Sequence, residues 1–194
     1  MAVEADPDVQ LMLALQRGDL TAFDQLFNKH APGLIRFATQ LVGNRARAEE
    51  LAQDVFLQVY RNRASYIPSA RFVTWLYRMA TNACVSEARR SEHRHRVRPK
   101  PRPDGEEPHM PEIRTPSAEQ DVISQEAAHR LQGVLSKLPT QQRAALLLAR
   151  VEGMSYEEVA LALSTSVAAI KSLVHRATVT LRDQLPDLRD VGES

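Results

Sequence analysis

The sequence predicts an all-α protein made of two small helical domains. Glycine is scarce, at 7 of 194 residues, while Ala, Leu, Gln, Arg and Glu, which favour helices, are frequent throughout the chain. Apolar residues recur at helical spacing in several segments. We find no stretch as long as a β-strand in which apolar and polar residues alternate. Residues 97–118 contain six prolines and have no helical period, which predicts a flexible linker. We therefore expect domains at residues 1–96 and 119–194.

Turn residues divide the first domain into five helical segments. Gly18-Asp19 and Gly43-Asn44 end the first and third segments. Pro32 is a favoured first-turn residue, so we expect it to begin a third helix separate from the second. Pro68-Ser69 breaks the chain before the fifth segment. The expected ranges are about 9–15, 22–29, 32–42 and 46–63, with a fifth helix starting near 71.

In the second domain, the pattern ends in a helix-turn-helix. Capping-box patterns at Ser117 and Ser155 predict two helix starts, and Pro139 and Gly153 predict two breaks. The polar turn 164–166 separates a short helix from a longer one. The expected ranges are about 117–137, 141–151, 155–163 and 167–185, and the last two form the helix-turn-helix pattern.

Charge is strongly segregated although the formal net charge is only +1. Residues 61–102 carry 11 Lys and Arg against 2 Asp and Glu, whereas residues 103–126 carry 1 against 7. A basic block of this density predicts a polyanionic partner. The single cysteine, Cys84, excludes an internal disulfide and fits a reducing compartment. Because no apolar run approaches the roughly 18 residues of a membrane span, we expect a soluble, cytoplasmic protein without membrane insertion.

The last helix has the composition of a DNA-reading helix. No acidic residue occurs between Ser164 and Arg182. Small and basic side chains on an outer face suit insertion into a major groove. The alternative is an ordinary helical hairpin with a mildly basic surface. The outer face consists of Ser166, Ala168, Ala169, Lys171, Ser172, His175 and Arg176.

The segment from Arg71 to Arg96, RFVTWLYRMATNACVSEARRSEHRHR, has two faces when it is drawn as a helix. One face is apolar and is expected to pack in the core. The other carries arginines, a hydroxyl and an amide, which bind phosphates and exposed bases. The preceding loop contains Tyr66, and an aromatic ring beside arginines can stack an unpaired base. A solvated basic helix with an apolar underside is the alternative reading. The polar face consists of Arg71, Thr74, Arg78, Asn82 and Arg89.

The sequence contains no pattern that indicates an enzyme. It lacks the glycine-rich phosphate-binding loop, the metal-binding helix motif with paired histidines and a glutamate, and the nucleophile elbow of hydrolases. His93 and His95 stand among arginines without a nearby cysteine or acidic cluster, which makes them poor ligands for a cation. We therefore expect no catalytic residues, no cofactor and no metal.

Three segments, in this order, resemble the extracytoplasmic-function (ECF) group of the sigma-70 family. AEELAQDVFLQVYRN resembles the region 2.2 helix, which docks on the polymerase β′ subunit. SARFVTWLYRMATNAC resembles regions 2.3–2.4, which melt and read the −10 element. LPTQQRAALLLARVEGMSYEEVALALSTSVAAIKSLVHRA resembles region 4, which reads the −35 element. The resemblance implies two helical domains, regions 2 and 4, and a role in promoter-specific transcription initiation.

The resemblance also implies functional residues, position by position. Those implied in binding core polymerase are Leu51, Gln53, Asp54, Phe56 and Leu57. Those implied at the −10 element are Tyr66, Ser69, Ala70, Arg71, Thr74, Trp75, Arg78, Asn82, Arg89 and Arg90. Those implied at the −35 element are Ser166, Val167, Ala168, Ala169, Lys171, Ser172, His175 and Arg176.

The implied partners are core RNA polymerase, through its β and β′ subunits, and promoter DNA. An anti-sigma factor, often membrane-anchored in this family, is a third, and the free chain is expected to be a monomer. The chain departs from the family where many members have a Gly-Thr pair and a KSR run; here Ala168-Ala169 and Lys171-Ser172-Leu173 occur. Two other function classes remain open. One is a stand-alone, dimeric DNA-binding regulator, and the other is a helical adaptor for protein partners.

Overall fold

The computed structural model describes residues 6–97 and 130–185, and all regular secondary structure in these two ranges is helical. The all-α prediction is therefore confirmed for the described part of the chain. The predicted linker, except for Val97, and the capping-box pattern at Ser117 lie outside the described residues.

Short polar side chains cap the helices of the first unit. The carboxylates of Asp6 and Asp19 and the amide oxygen of Asn44 each accept a hydrogen bond from a backbone N–H in the first turn that follows. Gly43 ends the second helix in the left-handed region, with φ of 71°. The helices are α1 (Pro7–Gln16), α2 (Leu20–Val42), α3 (Arg45–Arg61) and α4 (Phe72–Val97), with a 3₁₀ turn at Arg63–Ser65.

The expected break before Pro32 is wrong, because α2 is one continuous helix with this proline inside it. Proline removes one backbone hydrogen bond and crowds the preceding turn, which makes a break the usual outcome. Here the apolar stripe continues across it, with Leu26 and Ala31 buried before the proline or beside it and Leu34 and Phe37 buried after it. Packing of both halves against the same core thus keeps the helix continuous.

The second unit contains the expected helix-turn-helix. Ser155 begins α7 with a complete capping box: the Glu158 backbone N–H donates to Ser155 Oγ at 3.2 Å, and the Ser155 backbone N–H donates to Glu158 Oε2 at 2.8 Å. Ser164 adopts φ of 51° in the turn that follows, and Ser166 caps the last helix. The helices are α5 (residues 130–137), α6 (Thr140–Arg150), α7 (Tyr156–Ala162) and α8 (Val167–Gln184).

The two units pack against each other. In the first, α2 contacts α1, α3 and α4; in the second, α8 contacts α6 and α7; α4 contacts α7 across the boundary. Arg143 joins the units, because its Nη1 donates to the Gln40 carbonyl at 2.7 Å and its Nη2 donates to the Leu138 carbonyl at 3.0 Å. Burial lowers the pKa of Arg143. In the described ranges no single helix is long and apolar enough to cross a membrane. Helices α7 and α8 reach that length and hydropathy only when they are taken together, and a bend of 100° separates them.

Candidate nucleic-acid interface

A pocket of about 210 Å³ lies between the loop after the 3₁₀ turn and the first turns of α4. Gln16 of α1 holds this loop, since its Nε2 donates to the carbonyls of Ala64 at 3.0 Å and Tyr66 at 3.3 Å. The ring of Tyr66 lies 5.0 Å from that of Trp75, centroid to centroid. The lining residues are Tyr66, Ile67, Ser69, Ala70, Thr74, Trp75, Arg78 and Leu161.

Two hydroxyl groups at this pocket are buried without a hydrogen-bond partner. Tyr66 is 6% exposed and Thr74 is 3% exposed, and neither the phenol oxygen of Tyr66 nor Oγ1 of Thr74 has a partner in the structure. Leaving a buried polar group unpaired costs free energy, so each hydroxyl would be stabilised by a hydrogen-bond partner. Burial, with a contribution from the negative charge of Asp6, raises the pKa of Tyr66 to about 12. The phenol therefore remains a hydrogen-bond donor at neutral pH.

The arginines and the amide predicted on α4 lie on its exposed surface, whereas Thr74 lies inside the pocket. Arg71 already has acidic neighbours: its Nη1 donates to Glu158 Oε1 at 3.3 Å, and its Nε lies 3.9 Å from Asp6 Oδ2. Ser69 is exposed and Ala70 is half-buried in the loop. Of the residues implied at the −10 element, Arg71, just before α4, is exposed, as are four on α4: Arg78, Asn82, Arg89 and Arg90.

An ion pair fixes α4 against α3. Arg47 Nη2 donates to Glu87 Oε2 at 2.9 Å, and Glu87 is buried. The hydrogen bonds that the Arg47 guanidinium donates to Glu50 and, second in size, to Glu87 raise the pKa of Arg47. The basic face of α4 is thereby held in a fixed position relative to α3.

The residues implied in polymerase binding on α3 fall into two sets. Gln53, Asp54 and Leu57 are exposed, with Leu57 at 48%. Leu51 and Phe56 are buried, so their side chains hold the helix in place and present no atoms for a partner.

Phe27 of α2 extends this surface and was missed by the sequence reasoning. Its ring lies 4.9 Å from that of Phe56, and 37% of it is exposed. Phe23 contacts both rings. The spacing of Phe23 and Phe27, four residues apart on one helix face, was the available signal.

The outer face of α8 is as predicted for most of its residues: Ser166, Ala168, Lys171, Ser172, His175 and Arg176 are exposed, and Val167 and Ala169 are half-buried. Ser166 Oγ accepts a hydrogen bond from the Ala169 backbone N–H at 3.2 Å, so this serine also begins the helix. Leu173, at the departure from the KSR pattern, is half-buried and packs against the core.

Comparison with known proteins identifies both units. The family described as Sigma-70 region 2 matches residues 26–94, and the family described as Sigma-70, region 4 matches residues 128–181. The RNA polymerase sigma factor CarQ of Myxococcus xanthus is 34% identical over 171 residues, covering 88% of this chain and 93% of CarQ. ECF RNA polymerase sigma factor SigE of Mycolicibacterium smegmatis is 34% identical over 166 residues, covering 86% of this chain; the match spans 62% of the length of SigE.

Solved structures show the same fold. CnrH, in complex with the cytosolic domain of CnrY, matches with a TM-score of 0.67 at 23% identity, covering 97% of this chain and 100% of CnrH. The sigma factor RpoE of Bartonella quintana, in complex with the anti-sigma factor NepR, matches with a TM-score of 0.64 at 24% identity, covering 84% and 96% of the two chains. The resemblance read from the sequence is confirmed: the chain belongs to the ECF group of the sigma-70 family, the factors that direct RNA polymerase to initiate transcription at specific promoters.

Proposed function

We propose that this sigma factor docks on core polymerase through α3, opens and reads the −10 element with the loop 66–70 and α4, and reads the −35 element with α8. Residues 1–96 then form region 2 and residues 119–194 form region 4, joined by 97–118. The observation that carries the proposal is the pocket between the loop and α4, because it combines aromatic walls, two unpaired hydroxyls and an arginine-rich rim.

The pocket suits an extruded DNA base. A base stacked on an aromatic ring gains about 1–3 kcal/mol, and this gain offsets the cost of unpairing it from the duplex. The hydroxyls of Tyr66 and Thr74 have almost no accessible surface in the free chain, so they can contact the edge of a base only after the side chains around the pocket move apart. Arg78 lines the same pocket and is exposed, so it can contact the phosphate beside that base.

The exposed surface of α3 suits a protein partner. Leu57 and the half-exposed ring of Phe27 provide an apolar centre, and Gln53 and Asp54 provide a polar rim. This composition is that of a protein–protein contact and not of a phosphate-binding face. We assign this surface to core polymerase.

The exposed face of α8 suits the −35 element. Ala168 and Ser172 are small enough for close approach to base edges, and Lys171 and Arg176 supply charge for phosphates or guanines. Packing of Leu173 against the core removes one position where many relatives have an arginine. The promoter sequence preferred by this chain is therefore expected to differ from theirs.

The remaining roles follow from these assignments. Polymerase carries out the chemistry, so the chain acts as a specificity subunit without catalytic residues of its own. It works in the cytoplasm, where core polymerase and promoter DNA are found. In the solved structures CnrH is in complex with the cytosolic domain of CnrY and RpoE is in complex with the anti-sigma factor NepR, and by analogy with RpoE an anti-sigma factor is proposed for this chain.

Tyr66→Ala tests the assignment of the pocket to a melted base. With core polymerase and a promoter that the wild type transcribes, the variant should form open complexes at least about fivefold less well, the factor that corresponds to the lower end of the stacking free energy. Permanganate reactivity of unpaired thymines measures this. A template with the −10 region already unpaired should restore part of the lost transcription, whereas a misfolded variant would gain nothing. Unchanged permanganate reactivity would remove Tyr66 from the melting step.

A further inference from the structure

The loop 66–70 has little backbone support of its own. One backbone hydrogen bond joins two residues of this loop, from the Ser69 N–H to the Ile67 carbonyl at 2.8 Å. A connecting segment with so few internal hydrogen bonds keeps one conformation only if other elements bind its backbone. The pocket that the loop forms with α4 therefore depends on those elements for its shape.

The Gln16 side chain supplies this support where the loop begins. Its Nε2 donates to the Ala64 carbonyl at 3.0 Å and to the Tyr66 carbonyl at 3.3 Å. A glutamine amide nitrogen carries two hydrogens, so both are used on this stretch of backbone. Because one of them binds the Tyr66 carbonyl, Gln16 fixes the backbone from which the Tyr66 ring projects towards Trp75.

Helix α1 is anchored to the rest of the first unit, so Gln16 acts from a fixed support. The buried carboxylate of Asp8 binds α2 at two points: Lys29 Nζ donates to Oδ1 at 2.7 Å, and His30 Nε2 lies 2.9 Å from Oδ2. These contacts do not involve the loop, so they remain when Gln16 is replaced. The apolar side chains of α1 that are fully buried are Val9, Met12 and Leu15.

The other end of α1 holds the start of α4, which is the second wall of the pocket. Asp6 caps α1, because its Oδ1 accepts a hydrogen bond from the Asp8 backbone N–H at 3.0 Å. The second oxygen of this carboxylate, Oδ2, accepts a hydrogen bond from the Phe72 backbone N–H at 3.3 Å. One helix of ten residues thus binds α4 at its N-terminal end and the loop at its C-terminal end. The position of the loop relative to α4 is therefore set by α1.

We propose that Gln16 is a positioning residue for base recognition, which gives the pocket the shape that selects one base of the −10 element. The inference rests on the proposed function of the pocket. Gln16 acts through the Tyr66 backbone and is assigned no contact with DNA. Side chains around the pocket can then move apart to admit a base while the loop backbone stays in place. A pocket with a fixed backbone discriminates between bases, whereas a pocket with a mobile wall adjusts to each of them.

The test replaces the amide of Gln16 in the full chain. Gln16→Glu keeps the length of the side chain but offers only acceptors to the two carbonyls, so both hydrogen bonds are lost. Gln25→Glu is the matched control, because it makes the same change of charge at an exposed position of α2 outside the pocket. Gln16→Met removes the donors without adding a charge, and it decides the question if circular dichroism shows that Gln16→Glu is unfolded.

The first measurement is the emission of Trp75, the only tryptophan, in the free chain. The ring of Tyr66 lies 5.0 Å from that of Trp75, so a displaced loop exposes the indole to water. The emission should shift to longer wavelength in both Gln16 variants and stay unchanged in Gln25→Glu. Emission like that of the wild type in the Gln16 variants overturns the proposal.

The second measurement is open-complex formation with core polymerase on four promoters. They differ only in the base at the −10 position to which the wild type is most sensitive, and permanganate reactivity of thymines at the other unpaired positions is followed. The ratio between the preferred base and the next best should fall about fivefold in both Gln16 variants, the factor that corresponds to one hydrogen bond. An unchanged ratio, or an equal fall in Gln25→Glu, overturns the proposal. Failure of Tyr66→Ala to reduce open complexes would instead remove the assignment of the pocket, so the two claims fail by different results.

Discussion

Leu57→Asp should weaken binding to core polymerase without unfolding the protein. Leu57 is 48% exposed on α3, next to Phe56, whose ring packs against Phe27. Full burial of a leucine side chain contributes about 1.5–3 kcal/mol, so covering the exposed half contributes about 1 kcal/mol. Leu57→Ala should therefore weaken core binding about fivefold, and Leu57→Asp more than about tenfold, because it also places a carboxylate in an apolar contact.

Titration of labelled core polymerase with each variant measures these affinities. Ile67→Asp is the matched control, since Ile67 is a large aliphatic residue, 78% exposed, in the loop assigned to DNA. It should leave core affinity unchanged and impair promoter opening instead. Equal core affinities for Leu57→Asp and the wild type, with both folded by circular dichroism, would refute the assignment of α3 to polymerase.

Three further predictions concern stability and reactivity. Phe56→Ala should lower the free energy of unfolding by about 3–5 kcal/mol, since the ring is 2% exposed; a urea-induced unfolding curve measures it, and a loss below about 1 kcal/mol would contradict the packing described. Ser155→Ala should lower it by about 1 kcal/mol through loss of the capping box, and Ser155→Asp should recover most of that; a smaller loss for alanine than for aspartate would contradict the cap. Burial raises the pKa of Cys84 to about 12, above its ordinary 9.0, so the thiol should resist alkylation at pH 8 until the chain unfolds. Because burial raises the pKa of this thiol only in the folded state, the free energy of unfolding should be unaffected by the thiol below pH 9 and should fall as the pH rises from 9 towards 12. Rapid alkylation of the native protein would contradict the burial of Cys84.

The helices were predictable because their signals are local. The capping box at Ser155 and the glycine at position 43 define helix ends within a few residues of sequence, and the structure has both. Pro32 was misjudged for the opposite reason. Whether a proline breaks a helix depends on the packing of both flanking segments, which a local pattern does not contain.

The candidate site was predictable only in part. Resemblance to the family indicated candidate surfaces but not which side chains are exposed on them: Phe56 is buried on α3, and Tyr66 and Thr74 are buried at the pocket. Contacts between the units had no sequence signal at all. Arg71 and Glu158 are 87 positions apart, so no periodicity or turn pattern relates them.

Transcription of genomic DNA by purified core polymerase, with and without this chain, tests the central claim most directly. The account predicts transcripts with discrete start sites that appear only when the chain is present. Those start sites should share sequence elements near −10 and −35, read by α4 and α8. A chain that fails to bind core polymerase, or that binds it and yields no discrete start sites, would contradict the account.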